Sequence, residues 1–295
     1  MKKELFRGVG TALVTPMNDD GVDYEAMGRL VDFQLDGGVD ALIVCATTGE
    51  APTLTDEEHI ETIRFVAQRV GGRIPVIAGT GSNYTDHAVE ISVKAAQAGA
   101  DGLLCVTPYY NKCTQKGLVQ SFYKIADATD LPMIVYSVPS RTGVKILPET
   151  CLELAKHPNI TGIKEATGDM ATVVDIAAKC GENFRIWSGN DDIVVPMMAM
   201  GGLGCISVLS NILPRETHDM CALALKGDFK AAAERQCRYK ALIDALFSEV
   251  NPIPVKAALA AMGIIQDKLR LPLTPMEPDH REKLLALMRR QGLKV

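Results

Sequence analysis

The most restrictive feature of this chain is a regular alternation of short apolar segments with longer amphipathic ones. The apolar runs are hydrophobic almost throughout, as is typical of parallel strands with both faces buried. They predict eight strands, at 9–14, 41–46, 74–78, 102–106, 133–136, 160–163, 184–187 and 204–208. The intervening segments have the periodicity of amphipathic helices, at 24–37, 56–70, 86–98, 118–129, 148–156 and 171–179. The alternation predicts an α/β protein built on a parallel sheet.

Eight strand–helix units in one run favour a closed (β/α)8 TIM barrel, for which about 250 residues is typical. A doubly wound open sheet is the alternative, but the chain has no GxGxxG at its first helix and no GxxxxGK[ST]. Further helical segments follow the eighth strand, at 230–247, 255–262 and 279–290. We therefore predict a barrel catalytic domain over residues 1–226 and a small C-terminal helical domain over residues 227–295.

Composition limits the possible partners and the cellular compartment. The formal net charge is −5 and no basic run occurs, which argues against a nucleic-acid partner and favours a small molecule. The 8 cysteines are scattered without a CxxC pair, which indicates a reducing, cytoplasmic compartment. The 5 histidines form no HExxH motif or Cys/His cluster, so no metal site is predicted.

One uncharged segment, residues 193–214, is long enough to span a bilayer. Proline and glycine interrupt it, at Pro196, Gly201, Gly202 and Gly204. We therefore interpret it as a short helix followed by a buried strand, and we predict no membrane segment.

Lys164 is the most informative candidate residue. Active sites of (β/α)8 barrels lie at the carboxyl ends of the strands, and Lys164 directly follows the sixth predicted strand. Side-chain alternation predicts that Lys164 shares a face with Ile160 and Gly162. Burial there would lower its pKa and yield a nucleophilic amine suited to a carbonyl. The alternative is that Lys164 merely ends the strand and reaches solvent or pairs with Glu165.

Three further strand ends carry groups that suit imine chemistry. Tyr136 ends the neighbouring strand, and a phenol can both donate and accept a proton, although an aromatic core residue is the alternative. Thr47 and Thr48 offer hydroxyl and backbone N–H groups for a carboxylate, or else form an ordinary turn. Arg141 could bind a second carboxylate, or lie in a solvated loop.

These residues occur within motifs that resemble the family of dihydrodipicolinate (4-hydroxy-tetrahydrodipicolinate) synthases, which are pyruvate-dependent class I aldolases. The matching stretches run in order through nearly the whole chain. They are GTALVTP (10–16), TTGE (47–50), AGTGSN (78–83), VTPYYNK (106–112), VPSRTG (138–143), GIKEA (162–166) and NPIPVK (251–256). The resemblance favours the catalytic interpretation of Lys164.

The resemblance implies a role for each matching catalytic residue. Lys164 would form a Schiff base with pyruvate. Tyr136, Thr48 and Tyr110 would form a proton relay, with Tyr110 reaching into a neighbouring subunit's site. The enamine would then attack L-aspartate-4-semialdehyde, and transimination would close the ring and release the lysine. The expected enzyme is a lyase of the diaminopimelate and lysine pathway.

The same resemblance implies the substrate-binding residues and the assembly. The backbone of Thr47 and Thr48 would hold the pyruvate carboxylate, and Arg141 would hold that of the aldehyde. Gly189 and the carbonyl of Ile206 would line the pocket. No metal or organic cofactor is implied, and the expected assembly is a homotetramer, a dimer of dimers.

Two departures from the family pattern affect the expectations. Ser137 replaces the asparagine that usually follows the relay tyrosine, which we expect to alter only local hydrogen bonding. The lysine-inhibition site of regulated members is matched only in part. His59, Asn83 and Tyr109 agree with it, whereas Pro52, Asp56 and His87 do not. We therefore predict weak or absent inhibition by lysine.

Two other functions remain open. N-acetylneuraminate lyases and 2-keto-3-deoxy sugar-acid aldolases share the barrel, the lysine and the tyrosine, but Arg141 and Tyr110 resemble the synthases. A catalytically silent member that binds a metabolite is the alternative from another class. Such a member would be under no pressure to keep Lys164, Tyr136, Thr48 and Tyr110 together, and this chain has all four.

Overall fold

A computed structural model describes residues 2–295 and contains a closed barrel of eight parallel strands. The strands are β1 (Gly8–Ala12), β2 (Ala41–Val44), β3 (Val76–Gly79), β4 (Gly102–Val106), β5 (Met133–Ser137), β6 (Ile160–Glu165), β7 (Arg185–Ser188) and β8 (Gly204–Ser207). Each strand pairs with the next along the chain, and β8 pairs with β1 to close the barrel. The predicted (β/α)8 class is confirmed.

Helices surround the barrel and continue beyond it. They are α1 (Tyr24–Gly37), α2 (Asp56–Val70), α3 (Thr85–Gln97), α4 (Gln115–Ala126), α5 (Pro139–Thr142), α6 (Pro148–Leu154), α7 (Met170–Cys180), α8 (Val194–Ala199), α9 (Pro214–Leu225), α10 (Phe229–Leu246), α11 (Ile253–Ala261) and α12 (Pro278–Arg290). The α1 and α2 bounds are those predicted. At the start of α2, Thr55 and Glu58 form a reciprocal capping box that satisfies two otherwise unpaired backbone N–H groups.

Three elements were not predicted. A two-stranded hairpin joins Met17–Asn18 to Gly21–Val22, and α5 turns immediately after β5. Both are too short to show a hydrophobic period. Helix α9 is longer, but its buried face consists largely of small or weakly apolar side chains, which produce little hydrophobic contrast.

Two hydrophobic layers stabilise the barrel. One lies between the strands and the outer helices, and a smaller one fills the barrel interior. Phe6 stacks on Trp187 within the interior layer, with 5.3 Å between ring centroids. Tyr136 belongs to the same layer, so an apolar interior underlies the carboxyl ends of the strands.

The predicted face of Lys164 requires one correction. The pairing of β5 with β6 shifts register, so that Met133 is opposite Ile160 but Ile134 is opposite Gly162. Because the shift interrupts the alternation, Ile160 packs in the outer layer rather than on the face of Gly162 and Lys164. Lys164 faces inward, beside Tyr136.

The segment 193–214 contains α8 and the buried strand β8, as predicted. Among residues 2–295, no helix is long and apolar enough to cross a membrane. Helix α10 packs against α8, α9 and α12. The predicted domain division at residues 226/227 falls in the turn between α9 and α10, and it stays a prediction.

Candidate active site

Lys164 lies near the carboxyl end of β6, with its side chain buried in the barrel. Its Nζ atom is 4.3 Å from the ring centroid of Tyr136, which is the paired residue on β5. Burial lowers the Lys164 pKa to about 8, an effect that nearby Arg141 reinforces and Asp191 opposes. About a tenth of Lys164 is therefore the neutral, nucleophilic amine at pH 7, whereas a lysine with an ordinary pKa would be almost entirely charged.

Tyr136 is almost completely buried, and burial raises its pKa to about 12. The charge of Arg141 and a hydrogen bond with the Thr47 side chain act in the opposite direction. The phenol is therefore protonated near neutral pH, so it enters any reaction as a hydrogen-bond donor. Its ring face contacts the amine, and its hydroxyl lies on the side of Thr47.

The two threonines after β2 have different partners. Thr47 contacts the Tyr136 hydroxyl, whereas the Thr48 hydroxyl accepts a hydrogen bond of 3.0 Å from Nδ2 of Asn251. The predicted relay assigned the middle position to Thr48. The structure instead brings Thr47 to the phenol, while Thr48 pairs with Asn251.

Arg141 lies in α5 rather than in an irregular loop. Its Nη2 atom donates a 3.0 Å hydrogen bond to the backbone carbonyl of Asn251, which anchors the guanidinium at the rim of the barrel. The positive charge lowers the pKa of both Lys164 and Tyr136. The arrangement favours an anionic ligand beside the amine.

A cavity of about 220 Å³ opens at this end of the barrel. Its wall combines apolar and polar groups: Cys45, Ala46, Thr47, Ala51, Pro52, Gly79, Gly81, Leu104, Val106, Tyr109, Tyr136, Val138, Arg141 and Thr142. Lys164, Thr48, Gly189 and Ile206 lie outside this wall. The ring of Tyr136 belongs to the wall and lies 4.3 Å, centroid to Nζ, from the Lys164 amine.

Gly189 follows β7 beside Lys164. A Cβ atom at this position would lie 2.6 Å from the Cβ of Ala166 and 3.0 Å from Cε of Lys164. Any larger residue would therefore displace the lysine stem. Ile206 is buried in β8, two strands away from Lys164. Neither residue belongs to the cavity wall, and the predicted pocket-lining role of both stays a prediction.

Tyr110 does not join the site of its own chain. Its side chain is 93% exposed, and its backbone has a left-handed φ of 69°. Such a conformation is uncommon for a non-glycine residue. The adjacent Tyr109 lines the cavity instead.

The predicted regulatory residues lie beside β3. His59 is buried, its Nε2 atom is 2.8 Å from the carbonyl oxygen of Gly79, and burial lowers its pKa. The backbone carbonyl of Asn83 accepts a 2.8 Å hydrogen bond from Asn111. His87 lies 3.0 Å from a carboxylate oxygen of Asp56, so two non-matching residues pair with each other. Weak lysine inhibition stays a prediction.

Sequence reasoning missed Asn251, which touches both Thr48 and Arg141. The NPIPVK segment was identified as a family motif, but no role was assigned to Asn251. It also missed Lys256, which is fully buried and forms a 2.6 Å ion pair with Glu50, the residue two positions after Thr48. The NPIPVK motif was the available signal, since it contains both residues. The C-terminal helical region is thus attached directly to the threonine turn.

The fold and the site define a (β/α)8-barrel enzyme with a buried lysine at the carboxyl ends of its strands. A family model described as the dihydrodipicolinate synthetase family matches residues 5–291. The chain belongs to this family, and it is an enzyme of the lyase class.

Individual relatives agree with this assignment over nearly their full length. The chain is 56% identical to the 4-hydroxy-tetrahydrodipicolinate synthase of Caldicellulosiruptor bescii, with 99% of both chains covered. The crystal structure of dihydrodipicolinate synthase from Aquifex aeolicus is 46% identical, with a TM-score of 0.97 and coverage of 98% and 99%. A chloride-inhibited dihydrodipicolinate synthase from Acinetobacter baumannii in complex with pyruvate is 42% identical, with a TM-score of 0.96 and coverage of 97% and 99%.

Proposed function

We propose that this chain is a 4-hydroxy-tetrahydrodipicolinate synthase, which condenses pyruvate with L-aspartate-4-semialdehyde in the diaminopimelate and lysine pathway. The observation that carries the proposal is the buried Lys164, with its pKa lowered to about 8 and its amine against the ring of Tyr136. The names of full-length relatives at more than 50% identity support the same reaction. The pyruvate complex of the Acinetobacter enzyme supports the first substrate.

The reaction begins at the neutral amine of Lys164. Its nitrogen attacks the ketone carbon of pyruvate, and the resulting carbinolamine takes up a proton and loses water to form an iminium ion. Loss of a proton from the methyl carbon then gives the enamine. Tyr136, which is protonated near neutral pH, is positioned to deliver and recover these protons, with Thr47 as its hydrogen-bond partner.

The enamine carbon attacks the aldehyde carbon of the second substrate, and this forms the new carbon–carbon bond. Arg141 is the side chain that we assign to the carboxylate of this substrate, because it is anchored at the cavity wall by Asn251. The substrate's amino group then attacks the imine carbon, closes the ring and releases Lys164. The iminium ion supplies the electron sink, so the proposal invokes no metal or organic cofactor.

We assign the pyruvate carboxylate to the backbone N–H groups of the Thr47–Thr48 turn, with Gly189 and the Ile206 carbonyl beside it. The exposure of Tyr110 supports a role in the site of a second subunit, where its hydroxyl would join the relay through Thr47. This role requires at least a dimer, and we propose the homotetramer.

The test is reductive trapping with borohydride, followed by intact mass measurement and peptide mapping. Pyruvate should become fixed on Lys164, and the trapped form should require pyruvate rather than the aldehyde. Absence of an adduct, or an adduct on another lysine, would remove the Schiff-base mechanism.

The acceptor is tested separately, by turnover of the pyruvate-loaded enzyme. L-aspartate-4-semialdehyde should be consumed, whereas N-acetylmannosamine and sugar-acid aldehydes should not. Wild-type protein that is trapped with pyruvate but turns over only the sugar acceptors would instead be an aldolase of the sister type.

A further inference from the structure

Asp191 is a buried carboxylate that the proposed mechanism does not use. It lies two residues after Gly189, and its Oδ2 atom accepts 2.9 Å hydrogen bonds from the backbone N–H groups of Val208 and Leu209. Its Oδ1 atom is buried and has no hydrogen-bond partner within residues 2–295. Such an oxygen is costly to bury, so its retention requires an explanation.

Lys164 is the cation whose charge acts on Asp191. Burial raises the Asp191 pKa, and the charge of Lys164 counteracts part of this rise. Asp191 in turn opposes the lowering of the Lys164 pKa by burial. The loop that carries Asp191 passes close to the lysine, as the short distance from Gly189 to Lys164 Cε shows. The two backbone N–H groups hold the carboxylate in place, and the nearby Ser207 side chain lowers its pKa.

The other groups around Lys164 do not supply a negative charge. Arg141 on α5 is a second cation, and the Tyr136 phenol on β5 is neutral because burial raises its pKa to about 12. The Cys205 thiol on β8 has a pKa well above its usual value, because of its hydrogen bond with Cys221 and burial. Among the groups that shift the Lys164 pKa, Asp191 is therefore the one that carries a carboxylate.

We propose that Asp191 is the counter-charge of the iminium ion at Lys164 and acts through that residue as a positioning residue. The inference rests on the proposed function. When the neutral amine condenses with a ketone, it takes up one proton, releases water and leaves a fixed positive charge on Nζ. That charge arises in a buried site that already contains Arg141, so an anchored anion stabilises it.

The counter-charge has a pH signature that a purely structural role lacks. Above the Lys164 pKa the free amine is neutral, so imine formation creates a charge that Asp191 stabilises. Below that pKa the free amine is already charged, so imine formation conserves the charge and the contribution of Asp191 cancels. Loss of the carboxylate should therefore weaken pyruvate binding at high pH only.

The experiment uses Asp191→Asn, which keeps an acceptor oxygen for Val208 and Leu209. The pyruvate concentration that half-saturates cyanoborohydride trapping is measured at about pH 9 and about pH 6. We expect an increase of about tenfold at the higher pH, corresponding to one pKa unit, and little change at the lower pH. Asp192→Asn is the matched control, because it removes one carboxylate from the neighbouring position and Asp192 is not among the charges that shift the Lys164 pKa. This variant should bind pyruvate like the wild type at both pH values.

An equal loss at both pH values, or no loss at either, would overturn the inference. If Asp191→Asn does not fold, Ser207→Ala replaces it, because it removes a side chain that lowers the Asp191 pKa and leaves Asp191 itself in place. Ser207→Ala should then show a smaller increase in the half-saturating pyruvate concentration at the higher pH and little change at the lower pH. Absence of this difference would also overturn the inference. Failure of the wild type to be trapped at all would instead reject the proposed function.

Discussion

The protein buries two lysines at the same end of the barrel, and their surroundings differ. Lys256 on α11 is fully buried, with its Nζ atom 2.6 Å from Glu50 and 3.0 Å from the carbonyl oxygen of Thr15. Lys164 is also buried, but its amine lies against an aromatic ring, 4.3 Å from the centroid. Burial lowers the pKa of both lysines, and at Lys256 the charge and hydrogen bond of Glu50 counteract it.

The comparison distinguishes a structural lysine from a chemical one. At Lys256 the ammonium is compensated, so its burial joins the C-terminal helices to the Thr47–Glu50 turn. At Lys164 the charge of Asp191 offsets only part of the cost of burying the ammonium. The pKa therefore falls, and the nucleophilic neutral form becomes accessible. The same substitution, lysine to methionine, should therefore have different consequences at the two positions.

The largest expected effect is the loss of chemistry in Lys164→Met. Without the amine no imine forms, so turnover should fall by at least about a thousandfold and pyruvate trapping should disappear. Turnover assays and intact mass after borohydride measure the two effects. Lys256→Met should still be trapped in its folded fraction, and the comparison fails if Lys256→Met loses trapping while Lys164→Met keeps it.

The second effect is on the stability of Lys256→Met. Removal of the ammonium leaves Glu50 buried without its ion-pair partner, which should reduce the free energy of unfolding by about 3–5 kcal/mol. Urea unfolding measures the loss. The double variant Lys256→Met/Glu50→Gln should recover part of it, because no uncompensated charge remains. If Lys256→Met left the free energy of unfolding unchanged, the ion pair would not contribute to stability.

The third effect is an increase in stability, and it concerns Lys164→Met. The Lys164 pKa is about 8 in the folded protein against an ordinary 10.5, so between these values the unfolded chain binds more protons and stability rises with pH. Lys164→Met lacks this dependence and should be more stable than the wild type near pH 7, by up to about 3 kcal/mol. The two should converge above about pH 10, as urea unfolding at both pH values can test. Lower stability near neutral pH would contradict the incomplete compensation of Lys164.

The smallest effect concerns Asn251, which belongs to the same helical region as Lys256 but touches the site. Asn251→Ala removes the hydrogen bond to Thr48 and leaves the backbone carbonyl that holds Arg141. Loss of one such bond costs about 1 kcal/mol, so half-saturation by pyruvate should rise about fivefold. Steady-state kinetics and trapping measure this change.

A double-mutant cycle with Thr48→Val separates positioning from general destabilisation. If Asn251 acts by orienting the Thr48 hydroxyl, its substitution should add little to Thr48→Val. Full additivity of the two losses would show that Asn251 acts elsewhere.

Much of the fold could be predicted from the sequence because hydrophobic periodicity is local. The bounds of α1 and α2 and all eight strands follow from runs of adjacent residues, as does the position of Lys164 at a strand end. The register shift at Ile160 could not be predicted, since it depends on how β6 pairs with β5. It left Lys164 facing inward but moved Ile160 to the outer layer.

The partners of the site residues were decided by the tertiary structure. Thr48 and Asn251 are separated by 203 positions, and Glu50 and Lys256 by 206. No local pattern indicates that such residues meet, or that Thr47 rather than Thr48 lies against Tyr136. The order of apolar and polar residues thus determined the barrel fold and the position of Lys164 at the carboxyl end of a strand. The closure of the barrel determined which charges surround that lysine, because burial and long-range contacts, rather than residue type, determine the pKa of an amine.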